Sequence, residues 1–72
     1  MADWQGVVID GRLYSEAGAI ALEHVRRGAG PVEMATLMGY PPERHGHRGW
    51  LCMHHHYARH IAEGPADPVS TS

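Results

Sequence analysis

The chain has 72 residues, six Lys and Arg against eight Asp and Glu, and a single cysteine, Cys52, which excludes an internal disulfide. One domain of this length buries only about 60% of its unfolded surface, so a metal or a partner subunit is the expected source of extra stability. A net charge of -2 lacks the basic footprint of most nucleic-acid binders, although protonating all seven histidines would turn it to +5.

All the cations are arginine; the chain has no lysine. No stretch is apolar and long enough to span a bilayer, and no basic flank followed by an apolar run opens the chain. The expectation is a cytoplasmic protein that does not enter a membrane, in keeping with one unpaired thiol.

Residues 4–15 read WQGVVIDGRLYS. Val7, Val8 and Ile9 favour a strand, and Asp10-Gly11 suits a type I′ turn, which needs positive φ at both central positions. The turn sets Ile9 opposite Arg12, Val8 opposite Leu13 and Val7 opposite Tyr14. Residues 1–15 are therefore expected to form a β-hairpin that leans on the rest of the domain, because a lone two-stranded ribbon is marginal in water. A dimerising strand or a DNA-touching wing stays open as an alternative role.

Residues 16–63 are expected to form a helical domain of three helices. Ser15 is a good N-cap, and Glu16 suits the positive end of the helix dipole. The helix over 16–27 places Ala17, Ile20, Ala21, His24 and Val25 on its apolar face, with His24 in the core, and ends at Gly28-Ala29-Gly30. Pro31 suits the first position of a second helix, whose residues 32–38 are apolar nearly all round. That helix is expected to be the most buried element, with Gly39 at its left-handed C-terminal position.

Here the chain resembles the small helix-turn-helix regulators of bacteria and phages. The stretch GPVEMATLMGY, residues 30–40, is similar to many of their first helices, and Ala35 stands four residues before the turn glycine, Gly39. The resemblance covers roughly a third of the chain. It implies a three-helix, helix-turn-helix-like domain acting on DNA. The turn departs from the pattern, because Tyr40-Pro41-Pro42 runs on through residues 43–49 where the family uses three or four residues. Two internal glycines favour a loop over 43–49 rather than a helix opening at Pro42.

From Trp50 the helical pattern is clear. Trp50, Met53, Tyr57 and Ile61 fall on one side, His55, His56 and Arg59 on the other, and His54 and His60 flank the apolar stripe. Cys52 falls on the outer side. Glu63-Gly64-Pro65 ends this helix, and residues 64–72 read as a polar, disordered tail.

Three chemistries follow from these residues. Arg44, Arg48, His55, His56 and Arg59 are the candidate contacts to DNA or to a partner protein, with homo-oligomerisation expected. Cys52, His56 and His60 form a ridge one turn apart that a zinc ion could use, with His45 or His47 as a fourth ligand; the main expectation is no cofactor. Cys52 with His56 lacks a third group to orient the base, and no glycine-rich phosphate loop is present, so no enzymatic activity is expected. The main expectation is a non-enzymatic regulator of transcription. The alternatives are a phage-type protein-binding inhibitor or adaptor on the same scaffold, and a small zinc protein.

Overall fold

The computed structural model describes residues 6–65 in the order β1 (Val7–Ile9), β2 (Arg12–Tyr14), α1 (Glu16–Arg26), α2 (Pro31–Leu37) and α3 (His47–Glu63). The architecture is mainly helical, with a small antiparallel hairpin at its N-terminal side. Residues 66–72, most of the expected tail, lie outside the described residues.

The hairpin has the expected register: Val7 opposite Tyr14, Val8 opposite Leu13, Ile9 opposite Arg12. Asp10 and Gly11 both take positive φ, 54° and 81°, which is the backbone a type I′ turn demands. One face carries Tyr14 and Ile9 toward the helices, while Val8 and Leu13 face outward at 68% and 60% exposure. A period of two residues forces that split.

Ser15 caps α1, its hydroxyl accepting from the Gly18 N–H at 3.0 Å. The helix ends in a Schellman turn. The Ala29 N–H reaches the His24 carbonyl and the Gly28 N–H reaches that of Val25. A matching turn ends α2, where Tyr40 N–H donates to the Ala35 carbonyl and Gly39, at φ 91°, donates to that of Thr36.

The core gathers Tyr14, Ala21, Leu22, Met34 and Tyr57, with Trp50, Met53 and Ile61 packed around it from α3. Burying a side chain the size of Met34 contributes about 1.5–3 kcal/mol. α3 lies against both α1 and α2, which also touch each other. Gly18 lets α1 approach α3 closely. A Cβ there would stand 2.9 Å from the Tyr57 hydroxyl.

Three expectations are corrected. The buried residues of α1 are Gly18, Ala21 and Leu22, with Val25 packed partly against the core; Ala21 and Val25 lie as expected, whereas Ala17 is exposed, Ile20 is 53% exposed and His24 is only half-buried. The Leu22 and Ile20 sides are both apolar, so the location of Tyr14 and Tyr57 decides between them. α2 buries only Met34 and Ala35, leaving Val32 and Leu37 about half exposed, because α1 and α3 cover one side of it. The loop is shorter than 43–49, since α3 opens at His47 and takes Gly49 into its first turn. Gly46, at φ 96°, supplies the left-handed corner that stops the turn, and it packs under the Tyr40 ring. Tyr40 and Trp50 ring centroids stand 5.9 Å apart, so the aromatic pair anchors this first turn.

Candidate functional site

Spacings of four, three and four residues put Arg48, Cys52, His55 and Arg59 on one stripe of α3, and all four are exposed. His56 sits exposed beside them. The stripe runs most of the length of a 17-residue helix, about 25 Å end to end. It is the side opposite Trp50, Met53, Tyr57 and Ile61, so the burial of those four residues turns the cations outward.

Most of the carboxylates lie elsewhere, apart from Glu43 in the turn before α3 and Glu63 at its end. Within α3 the only one is Glu63, against Arg48, Arg59 and five histidines. Glu16, Glu23 and Glu33 belong to α1 and α2. Four arginines are paired: Arg12 and Arg59 with Glu63, each at 3.2 Å, Arg26 with Asp10 at 3.1 Å, and Arg27 with Glu23 at 3.0 Å. Among the described residues, Arg44 and Arg48 pair with no carboxylate. The Arg44 guanidinium lies 5.7 Å from the Tyr40 ring centroid, a cation–π contact that leaves its charge uncompensated.

Those two arginines meet at one end of the stripe. They line an open concavity of about 470 Å³ together with Pro42, His45, Gly46, His47 and Gly49. No carboxylate lines it. Backbone bonds from Arg44 N–H to the Pro41 carbonyl (2.8 Å) and from His47 N–H to the Arg44 carbonyl (3.2 Å) hold its shape. The candidate contacts therefore divide. Arg44 and Arg48 form an unpaired cationic end, His55 and His56 occupy the middle of the stripe, and Arg59 is an exposed ion pair whose release costs little.

Three histidines have jobs that local spacing does not reveal. His47 Nδ1 lies 2.8 Å from the Tyr40 carbonyl, and His54 Nε2 lies 2.8 Å from that of Ala29. A carbonyl only accepts, so each of these nitrogens carries its proton. His60 Nδ1 lies 2.7 Å from the Tyr14 hydroxyl. Arg12 works beside that bond, donating to the Gly64 carbonyl at 2.8 Å and so capping α3. Arg12 and Tyr14 point from one strand to one helix end; their alternation in RLY is the only local sign of it.

His60 has its pKa lowered below 6.5. Burial is the main cause, followed by His56 and Arg12, while Glu63 pulls the other way. The His56 and His60 ring centroids are 4.1 Å apart. Cys52 is exposed one turn earlier. Among the described residues, no three His, Cys, Asp or Glu side chains are grouped to hold one ion, so the ridge is a pair plus an outlying thiol. No described helix is long and apolar enough to cross a membrane.

No protein family, characterised protein or solved structure matches the chain.

Proposed function

We propose that this protein is a small non-enzymatic regulator that binds nucleic acid through the outward face of α3. One observation carries the reading. The two arginines without carboxylate partners, Arg44 and Arg48, share a concavity at one end of a stripe that continues through His55, His56 and Arg59. Net charge understates such a face, because among the described residues the only carboxylates on α3 or the turn before it are Glu43 and Glu63, and a phosphate backbone responds to the local field. α2 and α3 act as a helix-turn-helix-like pair in this reading, with α3 presented to the duplex and residues 38–46 as a lengthened turn. Ala35, buried four residues before Gly39, supports that pairing.

Titrating a short DNA duplex into isotope-labelled protein, followed by amide NMR, tests the proposal. The expected result is a set of shifts confined to residues 44–59 on the outer side of α3. Shifts confined to the hairpin and the outer sides of α1 and α2, or none at all, would reject it.

A second reading has its own support. Val8, Leu13, Ile20, Val32 and Leu37 are each more than half exposed, and Val8 with Leu13 forms a cross-strand apolar pair on the outer face of the hairpin. A host or cellular protein, or a second copy of this chain, would gain from covering them. In that reading the scaffold is an adaptor or inhibitor that acts without DNA.

A further inference from the structure

α3 carries His56 and His60 one helical turn apart, the arrangement in which two imidazoles reach a common point. Their ring centroids stand 4.1 Å from each other with planes inclined at 59°. Two imidazoles on one tetrahedral ion, at metal–nitrogen distances of about 2.0–2.1 Å, have centroids about 5 Å apart. The rings need to open by about 1 Å, and His56 is exposed and free to swing.

The second observation lies behind the pair. His60 Nδ1 is bound to the Tyr14 hydroxyl at 2.7 Å, so Nε2 is the nitrogen left for a ligand. Histidine ligands ordinarily engage their other ring nitrogen in this way, which fixes ring orientation. Tyr14 is itself held in the core, 7% exposed, and Tyr57 packs against it with centroids 5.9 Å apart. The His60 ring is thereby anchored from a different element of the fold, as surface histidines in general are not.

We infer that His56 and His60 form a binding site for a borderline divalent transition-metal ion such as Zn²⁺, with Tyr14 as the positioning residue and water completing the coordination. Imidazole nitrogens suit such ions, and an exposed helix ridge leaves the remaining positions open to solvent. Coordination through Nε2 places the His60 ring proton on Nδ1, where it donates to the Tyr14 oxygen. The ion then joins the helix ridge to the hairpin through one hydrogen bond. Binding to the native state alone stabilises the fold. Cys52 is one turn beyond the pair and outside the site. The inference does not rest on the nucleic-acid reading.

Untagged protein is titrated with Zn²⁺ against a colorimetric chelator at pH 7.5, and its thermal unfolding is recorded with and without the ion. The expected result is one Zn²⁺ per chain, with the melting temperature raised by about 10–20 °C at a hundredfold excess over Kd. H56Q and H60Q should each weaken binding at least tenfold, and Y14F about tenfold by loss of the outer hydrogen bond. H55Q and C52S should bind within about twofold of the parent. Absence of binding overturns the site. So does an H55Q loss equal to that of H56Q, which would mean diffuse binding to a histidine-rich surface. Loss of binding in C52S also overturns it, because the thiol would then be a ligand.

Discussion

The Tyr14 hydroxyl lies 2.7 Å from His60 Nδ1, joining the last residue of the hairpin to the last turn of α3. A neutral–neutral hydrogen bond of this kind contributes about 0.5–1.5 kcal/mol. Y14F keeps the buried ring and removes only this link. The predicted effect is a fall in melting temperature of about 4–8 °C, read by circular dichroism. An unchanged melting temperature would show that apolar packing and the Arg12 contacts to Gly64 and Glu63 hold the hairpin without it.

The same residue sets a pH dependence. The His60 pKa is lowered in the fold from 6.5, chiefly by burial, so between the two values the unfolded chain binds a proton that the native state does not. Stability therefore falls as pH drops from about 6.5 toward the folded pKa and levels off below it. Urea titrations at pH 7.5 and 5 should show this loss, and H60Q should shrink it. A parent and an H60Q variant with equal losses would assign the effect to other groups.

Two glycines predict opposite outcomes. Gly49 is helical, and a Cβ there meets nothing within 4 Å, so G49A should stabilise the protein by about 0.8–1 kcal/mol. Gly39 is at φ 91°, so G39A should destabilise it by about 1–2 kcal/mol. Chemical denaturation of both variants checks the pair. A neutral or harmful G49A would restore residue 49 to the loop.

Gly18 tests the close approach of α1 and α3. Alanine there gains helix propensity but brings a methyl group to 2.9 Å from the Tyr57 hydroxyl and 3.2 Å from Ser15 Oγ. Overpacking costs about 1–3 kcal/mol, more than propensity returns. G18A should therefore be less stable than the parent, and adding Y57F should recover part of the loss. A double-mutant cycle measures that coupling. Independent effects of the two substitutions would place the rings farther from α1.

Much of the frame was legible because it depended on neighbours in sequence. Asp10-Gly11 dictated the hairpin register, Ser15 and Gly28 bounded α1, and the spacing of Trp50, Met53, Tyr57 and Ile61 turned His55, His56 and Arg59 outward. What escaped depended on distant partners. Nothing local distinguishes Leu22 from Ile20 as the buried residue of α1; the packed tyrosines do. Gly49 argued for a loop, yet the Tyr40–Trp50 contact and the left-handed corner at Gly46 outweigh one unfavourable helical residue. The pairing of Arg12 with the end of α3, and the tethering of His54 to Ala29, link residues 52 and 25 positions apart. No periodicity encodes them.

The central claim is that α3 and the turn before it present a cationic face whose strength is set by Arg44, Arg48 and the exposed histidines. Anisotropy titrations of a labelled DNA duplex at pH 7.5 and pH 6, each repeated over a series of salt concentrations, test it most directly, with R44A/R48A and H55Q/H56Q beside the parent. Histidine is the side chain that ordinarily gains charge between about pH 8 and 5, so a face rich in exposed histidines becomes more cationic on acidification. The account predicts tighter binding at pH 6 by about tenfold, a smaller pH effect in H55Q/H56Q, and a shallower salt dependence in R44A/R48A, by about one to two in the log–log slope. Absence of binding at either pH, or binding that neither double variant alters, would contradict it.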